Sequence, residues 1–211
     1  MTTSITRHHS PCDTHNLYDV IFDGETIETL VTHDPNYVES WITDIERIHY
    51  HRRSSLIVGL DVEWRPSLNR NYHNPVATLQ LCVGHRCLIY QLIHTDSIPY
   101  ALEEFLNAEY TFVGVGVDSD LRKLNADYNI GNNTNSVDLR TLAVIEYGLS
   151  EYQNAGLKKL AHDVLGKEVV KPRRVTMSRW DDLHLSLDQV KYACLDAFIS
   201  FEIGRVLHAF R

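Results

Sequence analysis

Hydrophobic and polar residues alternate through much of the first half of the chain, as they do in β-strands. Four such runs are paired around short turns: residues 18–22 with 26–31, and residues 76–83 with 87–90. The first turn is Asp23-Gly24, a dipeptide that readily adopts the positive φ angles of a tight hairpin, and the second is Gly84-His85. A continuous apolar run over residues 55–61 predicts a further, buried strand. The predicted sheet therefore begins with antiparallel strands.

Apolar residues recur every three or four positions in other segments, which predicts helices. The first predicted helix follows Asp34, which can cap it, and carries Val38, Trp41, Ile42 and Ile45. Further helices are predicted at residues 101–106, 118–128, 139–145, 156–165 and 187–210, with strands at 111–115 and near Val137 and a basic loop over 167–182. Antiparallel strands followed by alternating helices and strands predict an α/β fold, in which helices flank a mixed sheet.

The first 16 residues follow neither pattern. They are polar and contain Pro11, so we predict a flexible tail over residues 1–16 and one domain over residues 17–211.

Apolar runs fall well short of the roughly 20 residues that span a bilayer, and residues 1–10 lack the apolar part of a secretory signal. Four scattered cysteines favour a reducing compartment. The expected protein is intracellular, nuclear or cytoplasmic, with no membrane partner.

The overall charge of the chain is negative. The 211 residues include 28 acidic and 20 basic side chains, for a formal net charge of -8. Nonspecific binding along a phosphate backbone depends on Lys and Arg. Taken alone, the charge argues against a general nucleic-acid coat protein.

Two carboxylates close the buried strand. Asp61 and Glu63 are two positions apart, so their side chains point to the same side of the strand. They repel each other unless a cation or a proton lies between them. Simple solvation at the end of a strand is the favoured explanation for such a pair by itself, so the spacing alone is a weak signal.

A second polar pair lies on the predicted terminal helix. Tyr192 and Asp196 are four residues apart and therefore stack on one side of the helix. The apolar stripe of this helix is formed by other positions, namely Val190, Cys194, Ala197 and Phe201. Exposure of both polar side chains to solvent stays open as the simpler interpretation.

Four segments of the chain, taken in order, carry a recognisable set of motifs, and they are residues 59–64, 78–81, 113–124 and 185–197. Together they resemble the motifs of the DEDDy 3'-5' exonucleases, and most of all the Werner-syndrome-protein-like exonuclease domains, including the plant members. Ser178 and Trp180 resemble the Ser-x-Trp that precedes the last motif in that family. The resemblance covers about residues 18–210 and implies a ribonuclease H-like mixed sheet flanked by α-helices.

The resemblance also implies a set of catalytic residues, which are Asp61, Glu63, Asp120, Tyr192 and Asp196. Asp118 competes with Asp120, because both lie at the start of one predicted helix. The spacing to Leu121 and Leu124 that the resembled family shows favours Asp120, and Asp118 is better suited to capping the helix. The sister subclass carries a histidine where this chain has Lys191, which favours the tyrosine-containing subclass.

The implied cofactors are two divalent ions, Mg²⁺ or Mn²⁺, because hard carboxylate oxygens suit these metals. In this scheme Asp61 bridges both ions, and Glu63 and Asp196 complete the first site. Asp120 supports the second site, and Tyr192 orients the attacking water. The implied reaction releases nucleoside 5'-monophosphates from the 3' end of a nucleic acid, with DNA favoured. A ribonuclease D-like RNA-trimming enzyme and a catalytically idle binding or assembly module stay open as alternatives.

Substrate contacts are expected in two places, around a single-stranded or 3'-recessed nucleic acid. Lys171, Arg173 and Arg174 are predicted to follow the phosphate backbone, with a solvated loop as the competing interpretation. Leu60 and Trp64 are predicted to stack on the terminal bases or wedge against them, and burial of Trp64 in the core is the alternative. Because some relatives form rings, a homo-oligomer is a further hypothesis.

Overall fold

The computed structural model describes residues 3–8, 14–67 and 72–209. Its strands are β1 (Thr3–Arg7), β2 (His15–Phe22), β3 (Glu25–Thr32), β4 (Ile57–Trp64), β5 (Val76–Val83), β6 (Arg86–Tyr90), β7 (Thr111–Gly114) and β8 (Ser136–Asp138). Its α-helices are α1 (Pro35–Ile48), α2 (Tyr100–Asn107), α3 (Val117–Tyr128), α4 (Leu139–Tyr147), α5 (Leu157–Leu165), α6 (Arg173–Thr176) and α7 (Leu187–Val206). Short 3-10 helices occupy Tyr50–Ser55, Leu92–His94 and Ser150–Asn154.

The strands form one mixed sheet in the order β1-β2-β3-β6-β5-β4-β7-β8. Strands β1 to β3 are antiparallel, as are β4 to β6, and a parallel pairing of β3 with β6 joins the two groups. Strands β4, β7 and β8 are parallel. The predicted α/β architecture and both predicted hairpins are confirmed, and Asp23 and Gly24 adopt the positive φ angles expected of the first turn.

Residues 3–7 form an edge strand, so the flexible tail predicted over residues 1–16 is wrong in this part. Strand β1 pairs with β2 with Ile5 opposite Val20, and Ile5 packs against the core. Residues 15–16 already belong to β2. The segment is ordered by hydrogen bonding to a neighbouring strand, which a short polar sequence does not reveal. Residues 1–2 and 9–13 of the predicted tail, residues 68–71 and residues 210–211 lie outside the described residues.

Helix α7 packs on one face of the sheet, together with α4 and α5, and helices α1, α2 and α3 cover the other face. The close approach of α7 to β4 depends on a glycine, because a Cβ atom on Gly59 would lie 2.0 Å from the carbonyl oxygen of Ala197. Most residues of α7 are buried, including Tyr192 and Asp196. These two side chains therefore do not face open solvent. No helix in the described ranges is both long and apolar enough to cross a lipid bilayer.

The predicted basic loop over residues 167–182 is partly helical. Residues 173–176 form α6, and Trp180 beyond it is completely buried. The indole N–H of Trp180 donates to the carbonyl oxygen of Thr176 at 3.3 Å. The segment between α5 and α7 is thereby anchored to the core next to the first turns of α7.

Candidate functional site

Three carboxylates meet where β4 ends. Asp61 and Glu63 project from the same face of the strand, and Asp196 approaches from α7. One oxygen atom from each carboxylate lies within 4.8 Å of the others, and Asp196 is only 4% exposed. In the described part of the chain, no other group of three or more His, Cys, Asp or Glu side chains is arranged so that it could hold a metal ion. We call these three residues the acidic cluster.

Burial and mutual repulsion raise the pKa values of the carboxyl groups in the acidic cluster. Burial, followed by the negative charges of Asp196 and Asp120, raises the pKa of Asp61 well above its usual value. Burial and the charge of Asp61 raise the pKa of Glu63 to about 10. Burial also raises the pKa of Asp196, although Lys171 opposes the shift. The cluster therefore holds its full negative charge only when a cation compensates it.

The donor set fits a hard divalent cation. The cluster offers carboxylate oxygens, which are the ligands that Mg²⁺ and Mn²⁺ prefer, and its three members come from two rigid elements, β4 and α7. A divalent ion among them would relieve the repulsion that raises their pKa values. The chemistry and the arrangement of these residues thus suit divalent metal binding.

Asp120 lies in the first turn of α3, beside the acidic cluster but outside the group of three. Burial and the charge of Asp138 raise its pKa to about 7, and its own charge contributes to the raised pKa values of Asp61 and Glu63. Asp118 is exposed and accepts a hydrogen bond from Ser136 Oγ at 2.8 Å. Of the two candidates, Asp120 is the one that is electrostatically coupled to the cluster.

The start of α3 differs from the prediction in one respect. The residue at the N-cap position is Gly116, with a φ angle of 80°, and Asp118 lies inside the first turn. A left-handed backbone is needed where the chain leaves β7, and glycine adopts it without strain. The proposed capping role of Asp118 is therefore wrong.

Tyr192 lies beside the acidic cluster and is 8% exposed. Its hydroxyl group is 3.4 Å from Thr176 Oγ1, and its ring centroid is 5.9 Å from that of Trp180. Burial and the charge of Asp196 raise the pKa of Tyr192 above its usual value. The phenol therefore keeps its proton near neutral pH and can orient a water molecule, but it cannot serve as a base.

Lys171 is partly exposed, and its ammonium group is directed to the acidic cluster. Its ammonium nitrogen lies 2.6 Å from Asp196 Oδ2 and 5.1 Å from the centroid of the Tyr192 ring. Burial disfavours the charge of Lys171, but the carboxylates of Asp196 and Asp61 outweigh this effect and raise its pKa. The prediction that Lys171 follows the phosphate backbone is not met in this structure, because the cluster attracts the ammonium group inward.

Of the other predicted substrate contacts, Leu60 lies in the core, and the remaining three lie at the surface. Leu60 is 1% exposed and belongs to the core on the α1–α3 side of the sheet, so its predicted role in base stacking is wrong. Trp64 is 38% exposed, and the Lys123 ammonium lies 5.2 Å from its ring centroid. Arg173 and Arg174 are exposed on α6, where Arg174 also pairs with Asp188 at 2.7 Å.

Sequence reasoning missed two residues that fix the beginning of α7. The hydroxyl of Ser186 accepts from the Gln189 N–H, and the Gln189 side chain accepts from the Ser186 N–H, which together form a capping box. The Gln189 amide also donates to the carbonyl oxygen of Arg179 at 3.2 Å. A Ser-x-x-Gln pattern before an apolar run is a known signal for such a cap and would have identified both residues.

Asp138 and Arg140 were also missed, and they surround the start of α3. Asp138 caps α4 and accepts from the backbone N–H of Gly116 at 2.9 Å. Arg140 Nη2 lies 2.6 Å from the same carboxylate oxygen, and the positive charge of Arg140 partly opposes the rise in the pKa of Asp120 that burial and Asp138 cause. The sequence signal for Asp138 was an aspartate between a short predicted strand and a predicted helix, where such a residue commonly caps the helix.

Comparison with known proteins identifies sequence relatives over most of the chain. Residues 36–209 match the sequence model of a 3'-5' exonuclease family. A 3'-5' exonuclease of Arabidopsis thaliana is 35% identical over 153 residues, which cover 71% of this chain and 52% of that protein. The bifunctional 3'-5' exonuclease/ATP-dependent helicase WRN of Mus musculus is 31% identical over 72% of this chain and 11% of that protein. The chain spans about half the length, or less, of these curated relatives.

Solved structures share the fold at lower sequence identity. Escherichia coli RNase D aligns with a TM-score of 0.68 and 15% identity, covering 85% of this chain and 44% of that one. The Nibbler EXO domain of Aedes aegypti aligns with a TM-score of 0.67 and 18% identity, covering 85% and 87% of the two chains. The mixed sheet flanked by helices is thus the ribonuclease H-like architecture that the sequence predicts.

Proposed function

The chain belongs to the 3'-5' exonuclease family, and on that premise we propose that it hydrolyses phosphodiester bonds from the 3' end of a nucleic acid and releases nucleoside 5'-monophosphates. The observation that carries the proposal is the convergence of Asp61, Glu63 and Asp196 beside the buried Tyr192. A catalytically idle module has no need to keep three repelling carboxylates together.

We propose that two divalent ions, Mg²⁺ or Mn²⁺, bind here. Asp61, Glu63 and Asp196 would hold these ions, and Asp120 would support their binding from the first turn of α3. The support for this assignment is the spacing of the acidic cluster and the electrostatic coupling of Asp120 to it. When bound, such ions supply an activated water, neutralise charge on the reacting phosphate and stabilise the departing 3'-oxygen.

The remaining steps fall to side chains of this chain. Tyr192 keeps its proton and holds the attacking water by a hydrogen bond, while Trp180 and Thr176 fix the orientation of the phenol. Asp138 holds the backbone at Gly116 and thereby fixes the first turn of α3, which carries Asp120. The reacting groups are therefore placed by β4, α3 and α7 rather than by flexible loops.

We propose DNA with a single-stranded or recessed 3' end as the substrate, on the strength of the sequence similarity to the WRN exonuclease. Trp64, which is partly exposed next to Glu63, is the proposed stacking surface for a terminal base. The exposed Arg173 and Arg174 are the proposed phosphate contacts. RNA is the alternative substrate, and recognition of the 2'-hydroxyl group separates the two.

The deciding experiment uses 5'-labelled DNA and RNA of one sequence, single-stranded or with a recessed 3' end. The protein is incubated with each substrate in Mg²⁺, Mn²⁺ or EDTA, next to Asp61→Asn and to Asp163→Asn, a control on α5 that pairs with Lys159. We expect a metal-dependent ladder that shortens from the 3' end. EDTA and Asp61→Asn should abolish it, and Asp163→Asn should leave it unchanged. Shortening that survives Asp61→Asn or EDTA, or the absence of any shortening, would contradict the proposal.

The predicted homo-oligomer stays a prediction. In a ring, neighbouring subunits would shape a substrate channel, which one acidic chain with a net charge of -8 does not form through basic side chains of its own. Light scattering on the purified chain measures its mass directly, and a monomeric mass would exclude the oligomer.

A further inference from the structure

We infer that Lys171 is an internal cation that occupies the acidic cluster in the metal-free protein, and that divalent metal must displace it in order to bind. The inference deepens the proposed function and rests on it, since it concerns the same metal site. It makes Lys171 a residue that sets metal affinity. Its ammonium group and the metal compete for the carboxylate of Asp196.

The contact that supports this inference is short and shielded. The ammonium nitrogen of Lys171 lies 2.6 Å from Asp196 Oδ2, and the two side chains are only 29% and 5% exposed. Its position over the Tyr192 ring, 5.1 Å from the centroid, adds a cation–π interaction on the inner side. A pair with one partner buried and the other partly buried is less screened than a fully exposed salt bridge.

Competition follows from the small size of the cluster. One ligand oxygen from each of Asp61, Glu63 and Asp196 lies within 4.8 Å of the others, so a cation bound to all three would lie close to the ammonium group that contacts Asp196 Oδ2. The two positive charges also repel each other at this distance. Either Lys171 or the metal therefore neutralises the cluster, but the two do not share Asp196.

Three other lysines in this part of the chain pair with carboxylates outside the acidic cluster. Lys167, four residues earlier, lies 3.4 Å from a carboxylate oxygen of Glu25, and Lys159 on α5 lies 2.7 Å from Asp163. Lys191, next to Tyr192, lies 3.3 Å from Asp188. None of these three carboxylate partners belongs to the acidic cluster, so the competition is specific to Lys171.

Metal binding is thereby linked to the segment that joins α5 to α6. Lys171 lies on this segment, and the neighbouring Val169 is buried while Val170 is 82% exposed. Linkage is reciprocal, so the factor by which the Lys171–Asp196 contact weakens metal binding is the factor by which metal weakens that contact. A chain without the ammonium group has a less stable metal-free state and consequently binds metal more tightly.

The first test is calorimetric titration of Mn²⁺ into the wild type, Lys171→Met and the matched control Lys159→Met. Methionine replaces the four-atom stem of lysine with an apolar chain of similar shape and lacks the charged ammonium group. We expect the Kd of Lys171→Met for Mn²⁺ to fall about fivefold or more, the lower end of typical coupling between competing ligands, and that of Lys159→Met to stay unchanged. An unchanged or higher Kd in Lys171→Met would overturn the inference.

The second test uses the wild-type protein, so it does not depend on the folding of a variant. Each lysine is labelled by brief acetylation with and without saturating Mg²⁺, and the rate at each position is read by mass spectrometry. We expect the rate at Lys171 to rise severalfold with Mg²⁺, while Lys159 and Lys191 stay constant.

The outcomes separate this inference from the proposed function. Metal binding without any change at Lys171 would overturn the inference and leave the exonuclease proposal intact. A metal-responsive Lys171 in a protein that shortens no nucleic acid would support the inference and contradict the exonuclease proposal. Absence of metal binding would contradict both the inference about Lys171 and the exonuclease proposal.

Discussion

Gly59 and Ala197 meet backbone to backbone: a Cβ atom at position 59 would lie 2.0 Å from the carbonyl oxygen of Ala197 and 2.8 Å from the amide nitrogen of Phe201. Asp61 follows Gly59 by two residues, and Asp196 immediately precedes Ala197. The contact between β4 and α7 therefore sets the separation of two carboxylates that are far apart in the sequence.

Replacing Gly59 with alanine tests this relationship. The added methyl group has no room against the α7 backbone, so we expect Gly59→Ala to lower the free energy of unfolding by about 3 kcal/mol or more and to weaken Mn²⁺ binding. Urea denaturation and Mn²⁺ titration measure the two effects. Gly156→Ala is the matched control, because a Cβ atom there meets nothing within 4 Å. Equal stability of the two variants would contradict the argument.

Removing the hydroxyl group of Tyr192 is expected to affect the reaction rate alone. If the phenol only orients the attacking water, Tyr192→Phe should lower kcat roughly 10²-fold, the typical cost of misplacing a reacting group, while the Kd for Mn²⁺ stays constant. Single-turnover assays and metal titration separate these quantities. Tyr147→Phe, at a partly exposed tyrosine on α4, should match the wild type. A large loss of metal binding in Tyr192→Phe would show that the role is different.

The two aspartates at the start of α3 are distinguished by parallel substitutions. Asp120→Asn removes a charge that is coupled to the acidic cluster, and we expect about a 10²-fold loss of kcat/KM, equivalent to about 3 kcal/mol of transition-state stabilisation. Asp118→Asn removes an exposed group bonded to Ser136 and should change kcat/KM less than about twofold. The reverse order of effects would assign the second motif to Asp118.

The metal-free protein should lose stability as the pH rises. Folding raises the pKa of Glu63 from 4.5 to about 10 and that of Asp120 from 3.8 to about 7, so the folded state binds more protons than the unfolded state between these limits. The free energy of unfolding in EDTA should therefore decrease from about pH 5 to about pH 9. Urea denaturation at several pH values measures the slope.

A variant and a metal titration check the origin of that slope. Glu63→Gln carries no carboxylate at the position with the pKa of about 10, so its stability should depend less on pH. Mg²⁺ should restore most stability to the wild type at high pH, where the cluster is ionised. If the stability of the wild type in EDTA instead increases with pH, the pKa values of Glu63 and Asp120 are not raised by burial.

Leu60 and Trp64 offer a matched pair for the substrate surface. Trp64→Ala should raise the KM for single-stranded DNA about tenfold, because stacking on an aromatic ring contributes about 1–3 kcal/mol per base, with little loss of stability. Leu60→Ala should instead lower the free energy of unfolding by about 2–5 kcal/mol, as expected for a buried leucine. An unchanged KM in Trp64→Ala would remove this residue from the proposed binding surface.

Much of the fold could be predicted because its signals are local. The Asp23-Gly24 turn lies between two alternating runs, and Asp34 caps α1 through a hydrogen bond to the Asn36 N–H. The positions of Asp61 and Glu63 on one face follow from the two-residue repeat of a strand. These features depend on a few consecutive residues, so the sequence alone identifies them.

The features that could not be predicted depend on contacts between distant segments. The pairing of β3 with β6 joins strands that are not consecutive, and β1 is ordered by its neighbour β2. A helix with one apolar side would leave Asp196 exposed, whereas the sheet and other helices enclose α7 on most sides. Lys171 was predicted to contact a phosphate because nothing in its local sequence shows the carboxylate it meets.

Helix α7 is enclosed on most of its surface and carries both Tyr192 and Asp196. Its amide hydrogens should therefore exchange with solvent only when the whole domain unfolds, along with those of the central strands. Many enzymes place reactive groups on segments that open locally, but the burial of α7 predicts that the last motif belongs to the most slowly exchanging part of the molecule. We therefore expect no partly unfolded form that keeps the site intact, and heating should disrupt the site and the core together.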